Sequence, residues 1–140
     1  MSQPQPWPVP AKPRPRPCAS CPYRRNVPSG VWDASEYAKL PEYDKDMGEQ
    51  SPAVFHCHQN DGSVCSGWLG YRNPDDLLAV RLGLMSGRLD VSCVEYTTDV
   101  PLFASGAEAA AHGTKDIEAP SDEAQATIRK VLRKRDVKLK

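Results

Sequence analysis

The sequence predicts a small α+β domain, mainly helical and loop-rich, organised around a metal centre. Three observations point there. Helix-start and helix-stop residues recur at short intervals, only two brief runs look strand-like, and four of the five cysteines fall in two clusters beside chain without regular periodicity. A chain of 140 residues, 39% hydrophobic and 26% charged, fits one domain with one modest core.

The first 17 residues, MSQPQPWPVPAKPRPRP, hold seven of the 14 prolines. Proline lacks the amide that a strand or helix interior needs, so residues 1–17 are expected to form an extended, disordered basic arm. The arm has no apolar run suited to a secretory signal, and no later segment nears the roughly 20 apolar residues of a membrane span. A cytoplasmic location without membrane contact is therefore expected. Residues 18–128 are read as a single metal-binding domain and residues 129–140 as a basic helix end or tail.

Within the domain the elements follow in order. Asp33 suits a helix cap with Glu36 three residues on, and Pro41 should end that helix near Leu40. Residues 53–57, AVFHC, read as a short strand. "NPDD" then opens a helix: Asn73 as cap, Pro74 in the first turn, and Asp75 and Asp76 at the positive end of the dipole. Leu77, Leu78, Leu82 and Met85 recur at helical spacing as a core stripe, up to a stop at Gly87. Residues 91–98, VSCVEYTT, are the second strand-like run. Ser105 and Glu108 form a capping box for a third helix ending at Gly113. A fourth begins at Ser121 and buries Ala124, Ile128 and Val131 or Leu132.

Formal net charge is zero, but it is segregated. Residues 129–140 carry seven Lys/Arg against one Asp, and the arm adds Lys12, Arg14 and Arg16. Removing those ten of the 18 cations and that one of the 18 acids leaves eight against 17 in residues 18–128, a net of −9. An acidic body is poorly suited to lie along phosphates, whereas the basic tail suits a nucleic acid or an unknown protein partner, or simply complements a helix dipole.

The chemistry concentrates in "CASC" and "FHCHQNDGSVC". A reducing compartment and an odd number of cysteines argue against a disulfide framework. Cys18 and Cys21 are spaced so that both sulfurs can face one ion; Cys57 and Cys65 bracket the turn-forming NDGS. Four thiolates close a tetrahedral site or hold an iron–sulfur cubane, and ligand bonds would fix loops that a small core leaves loose. Cys93, among Val91, Val94 and Tyr96, reads as a buried hydrophobe. In an extended residue 53–58 segment His56 and His58 point away from Cys57; a turn there makes His58 an alternative ligand or an outer hydrogen-bond donor. His56 reads as a surface or packing residue, and His112 as a helix-end cation or cap.

"CASCPYRRNVPSGVW", "FHCHQ" and "CSGWL" resemble the signature of an uncharacterised family of small cysteine-rich proteins of actinobacteria and their phages, over residues 18 to about 87. The resemblance implies that Cys18, Cys21, Cys57, His58 and Cys65 belong together, with Pro22, Arg24, Gly67 and Trp68 as scaffold. It brings no activity, and in a phage setting the location becomes the host cytoplasm.

One Cys-x-x-Cys pair with two separated cysteines, beside Pro and Trp, favours a [4Fe–4S] cluster over Zn2+, which more often takes two such pairs. Enzyme signatures are missing: no strand precedes the pair as in a dithiol oxidoreductase, no His-x-Glu precedes it as in a zinc deaminase, and there is no Gly-rich phosphate loop. The expected function is a metal-binding regulatory module acting through protein or nucleic-acid contacts. The alternative is a small iron–sulfur redox or nucleic-acid-processing protein.

Overall fold

In the computed structural model the described residues are 9–57 and 62–139, the last six as backbone only. Residues 1–8 of the expected arm, His58 and the terminal Lys140 lie outside them. Among the described residues the molecule is small, mainly helical and loop-rich: α1 (Ala34–Ala38), α2 (Ser66–Gly70), α3 (Leu78–Met85), α4 (Ser92–Glu95), α5 (Gly106–Thr114) and α6 (Asp122–Leu139), with 3-10 turns at Leu40–Asp44, Met47–Glu49 and Pro74–Asp76. No described helix is long and apolar enough to cross a membrane.

The β part of the expected α+β class shrinks to isolated bridges: Ala11↔Leu89, Pro13↔Val64, Arg24↔Leu102 and His56↔Val64 among the described residues. Residues 53–57 contribute one of these bridges rather than a strand. Residues 91–98 instead make a helical turn, α4, because the Asp90 carboxylate accepts the Ser92 amide at 3.0 Å and its hydroxyl at 2.5 Å. That local turn outweighs the strand preference of the valines.

The segment expected as an arm is docked from Ala11 on. Its amide donates to the Arg88 carbonyl at 2.8 Å and its carbonyl accepts the Asp90 amide at 2.9 Å, while the Tyr96 hydroxyl donates to the Pro15 carbonyl at 3.1 Å. Proline spacing predicted extended backbone correctly but carried no information about the amides and carbonyls left between the prolines, which pair with the body.

In α1 the Asp33 carboxylate accepts the Ser35 amide at 3.1 Å, and Glu36 pairs with Lys39 rather than reaching back. α1 ends at Ala38, close to the expected Leu40, and Pro41 falls in the first turn of the 3-10 helix Leu40–Asp44, where its missing amide costs nothing. Asn73 caps as expected, accepting the Asp75 amide at 3.1 Å. The helix it starts lasts one 3-10 turn, breaks at Leu77 (φ −95°, ψ 118°) and restarts as α3. The cause is Gln50, 5% exposed, whose Oε1 accepts the Leu78 amide at 2.9 Å and whose Nε2 donates to the Asp76 carbonyl at 3.0 Å. The break shifts the helical phase: Leu77, Ala79, Val80 and Gly83 are buried, whereas Leu82 (42%) and Met85 (84%) of the expected stripe are exposed. Gly87 takes the left-handed φ of +76° that its place after the helix called for.

Ser105 accepts the Glu108 amide at 3.1 Å, and the Glu108 carboxylate accepts the Ala104 amide at 3.1 Å. Gly113 is not a stop but lies inside α5, where a Cβ would overlap the Tyr37 ring. In α6, Ser121 accepts the Ala124 amide; Ala124 and Val131 are buried and Leu132 is 53% exposed. One core cluster joins α1, α5 and α6 to the cysteine segments through Tyr23, Tyr37, Leu40, Val64, Trp68 and Val80.

Candidate metal centre

Cys18 to Arg24 fold as two successive turns, with the Cys21 amide donating to Cys18 O at 2.9 Å and the Arg24 amide to Cys21 O at 3.0 Å. Trp32 Nε1 clamps the first turn through Ser20 O at 2.7 Å. The second cysteine pair sits on two antiparallel arms: the Cys57 amide donates to Ser63 O and the Cys65 amide to Phe55 O, both at 2.9 Å, around the His56↔Val64 bridge. Side chains alternate along such arms, so Cys57 and Cys65 share one face and His56 takes the other. His56 is exposed, as its sequence position suggested.

All four cysteines are buried, at 0–5% exposure, and none is in a disulfide. Cys21 and Cys65 lie 3.8 Å apart, sulfur to sulfur. Cys18 lies near enough to both Cys21 and Cys57 for each to act on its thiol, which brings the first turn close to the Cys57 arm. The neighbouring Cys21 thiol, together with burial and despite the opposing effect of Cys57, raises the Cys18 thiol. The Cys21 thiol is pulled down by the nearby Cys18 but held well above its usual value by the bond with Cys65, by burial and by the charge of Cys65. Crowded buried thiols resist ionising together, and a cation among them reverses that preference.

Two further groups border the sulfurs. Arg14 Nη1 stands 3.6 Å from Cys57 Sγ, and Ser20 Oγ 3.8 Å from Cys18 Sγ. Gly67 supplies the space: a Cβ there would overlap Cys21 Sγ and press on Tyr23. Tyr23 OH, Arg24 Nε, Ser66 Oγ and Trp68 Nε1, all within three residues of a site cysteine, are buried without a partner among the described residues. Polar atoms are seldom buried so without a nearby water or ion. Cys57 also lines a cleft of about 540 Å3 with Glu36, Lys39, Tyr43, Phe55 and His56.

The residues fit a metal in donor type, burial and convergence. A tetrahedral ion with sulfurs about 2.3 Å away sets them about 3.8 Å from one another, the separation of Cys21 and Cys65. A cubane would hold them much farther apart, because four irons and four sulfides lie between. Among the described residues no three His, Cys, Asp or Glu stand as a group that could hold a metal ion, so the four thiols would have to close further to share one.

The other sequence candidates part company. Cys93 is buried with Sγ 3.6 Å from Ala11 O, as a packing residue. His112 stands in the last turn of α5, as expected, and in addition its Nε2 donates to Val27 O at 2.6 Å and its ring tilts against Phe103, tying the loop after the first turn to α5. Arg14 was legible only as one more cation of a basic arm; nothing in its local sequence signals a sulfur 43 residues away.

A family described as a family of unknown function (DUF6283) matches residues 13–135. No curated protein and no solved structure matches the chain.

Proposed function

Since the chain belongs to this family, whose description assigns no activity, we propose from its own residues that it is a small module organised by one metal ion held by Cys18, Cys21, Cys57 and Cys65, acting through protein or nucleic-acid contacts. The observation that carries the reading is the approach of buried cysteines from segments some 40 residues apart, with Cys21 and Cys65 at 3.8 Å. That spacing supports Zn2+ in a mononuclear site over the [4Fe–4S] cluster favoured by the cysteine pattern. A bound ion would supply charge to stabilise thiolates and would tie the first turn to the two antiparallel arms; Cys18 and Cys21 would hold it from one side, Cys57 and Cys65 from the other. The contact surface is assigned to the C-terminal end of α6, rich in Lys and Arg, which an acidic body would leave as the attractive face for phosphates or carboxylates.

Metal analysis with a visible spectrum on anaerobically purified protein tests the centre. Colourless protein with one zinc per chain is the expected result, and brown protein with iron and sulfide in equal amounts would replace zinc by a cluster. Each of the four Cys→Ser variants should lose metal while Cys93→Ser keeps it. Full occupancy in Cys57→Ser would overturn the ligand set.

A further inference from the structure

We propose that Arg14 is the charge-compensating partner of the metal centre, positioning Cys57 through a guanidinium–sulfur hydrogen bond; this rests on the four-cysteine reading above. Arg14 Nη1 is 3.6 Å from Cys57 Sγ. The backbone fixes that approach. Arg14 donates its amide to Val64 O at 3.1 Å, the Val64 amide donates to Lys12 O at 3.0 Å, and Pro13 bridges Val64 in parallel. Val64 bridges His56 on its other side, so one residue registers the Arg14 segment and the Cys57 arm together. Pro13 restricts its own φ, and Pro15 restricts Arg14 to extended backbone, which narrows the directions the guanidinium can take.

The chemistry gives that contact a task. Four thiolates round a divalent ion leave two negative charges in excess, in a site where all four sulfurs are withdrawn from water. Arginine stays charged when partly buried, and its N–H draws electron density from a sulfur it bonds. A thiolate bonded in this way donates less to the metal and is less open to protons and electrophiles. The bond falls on the ligand that needs it, because Cys57 lines the cleft through which a chelator or oxidant would arrive. The sequence grouped Arg14 with the cations of a basic arm; the structure sets it beside the Cys57 sulfur.

Cobalt(II), which takes the zinc geometry and shows sulfur-to-metal charge-transfer absorption, provides the test. In Co2+-loaded Arg14→Met this band should move to lower energy, and Zn2+ should pass to excess chelator about ten-fold faster than in the parent, the lower end of what loss of an outer partner costs. Arg14→Lys, which keeps the charge, should lie nearer the parent in both. If Arg14→Met does not fold, Arg14→Ala, which likewise lacks both the charge and the N–H donors, should show the same shift. An unmoved band with parental transfer rates in a folded neutral variant overturns the role of Arg14 and leaves the four-cysteine site standing. A parent protein that takes up neither Zn2+ nor Co2+ overturns both.

Discussion

Gly67 shows how little room the cysteine cluster has. Its hydrogen faces Cys21 Sγ, and the Cβ of any other residue would overlap that sulfur and crowd Tyr23 Cβ at 3.1 Å. Neither neighbour is the free end of a flexible chain: Cys21 and Tyr23 are both 0% exposed, and Tyr23 is stacked on Tyr71 with centroids 4.7 Å apart. Gly67→Ala should therefore destabilise by about 1–3 kcal/mol, as overpacked cores do, and lower metal content with it. Gly48, with nothing within 4 Å of a built Cβ, is the control; Gly48→Ala should leave the urea midpoint and the metal content near those of the parent. Equal behaviour of the two variants would mean the Cys21 turn has room to move.

At the scale of elements, short helices are set by side chains far away in sequence. Gln50 makes three hydrogen bonds, to Lys45 O, Asp76 O and the Leu78 amide, and so fixes both the loop before residue 50 and the break before α3. Asp44 does the same for α5, its two carboxylate oxygens accepting the Gly106 and Ala107 amides at 2.7 and 2.8 Å. Both satisfy helix-end amides that would otherwise lack partners. Gln50→Ala leaves the Leu78 amide and two carbonyls without their partner, so a loss of about 1–3 kcal/mol is expected in urea unfolding with an unchanged slope. A changed slope with no midpoint shift would mean that α3 fuses with the preceding turn and the side-chain bonds are incidental.

For the whole molecule, burial of acidic hydroxyls and a thiol makes stability depend on pH at the alkaline end. Burial raises Tyr37 and Tyr43 above the usual tyrosine value, and burial, with the Asp90 charge second, raises the Cys93 thiol from 9.0 to about 11. The folded state thus holds protons that the unfolded chain releases, so this stability is complete below about pH 9 and is lost as pH rises through about 11. Cys93 alone accounts for up to about 3 kcal/mol once both values are passed. Thermal midpoints of parent and Cys93→Ala at pH 7.5 and 10.5 should differ less at the higher pH; a constant difference would refute the assignment. Metal removal is the second global perturbation. Site binding energy of about 10 kcal/mol matches a domain's whole stability. The loop after the first turn is held independently, by Gly30 N to Gly113 O and the Ser29 and His112 bonds to either side of it. Hydrogen exchange after chelation should therefore strip protection from Cys57, Cys65 and Leu69 amides, while Gly30 and Val80 keep part of theirs. Unchanged protection at Cys65 would show that the apolar core alone holds the arms.

The sequence by itself determined the helix caps at Asp33, Asn73, Ser105 and Ser121, the left-handed Gly87 and the mainly helical, loop-rich class, because each rests on a few neighbouring residues. It also singled out four cysteines, all of them buried, of which Cys21 and Cys65 stand 3.8 Å apart. Only the tertiary structure decided that the α3 helix breaks at Leu77, that Gly113 marks a close approach to Tyr37 rather than a stop, and that Arg14 stands beside the Cys57 sulfur. Those outcomes turn on Gln50, on the Tyr37 ring and on Val64, partners 28 to 76 residues away. Local spacing governs backbone conformation within a turn or two, whereas helix phase, close approach and charge pairing depend on which distant group fills the available space.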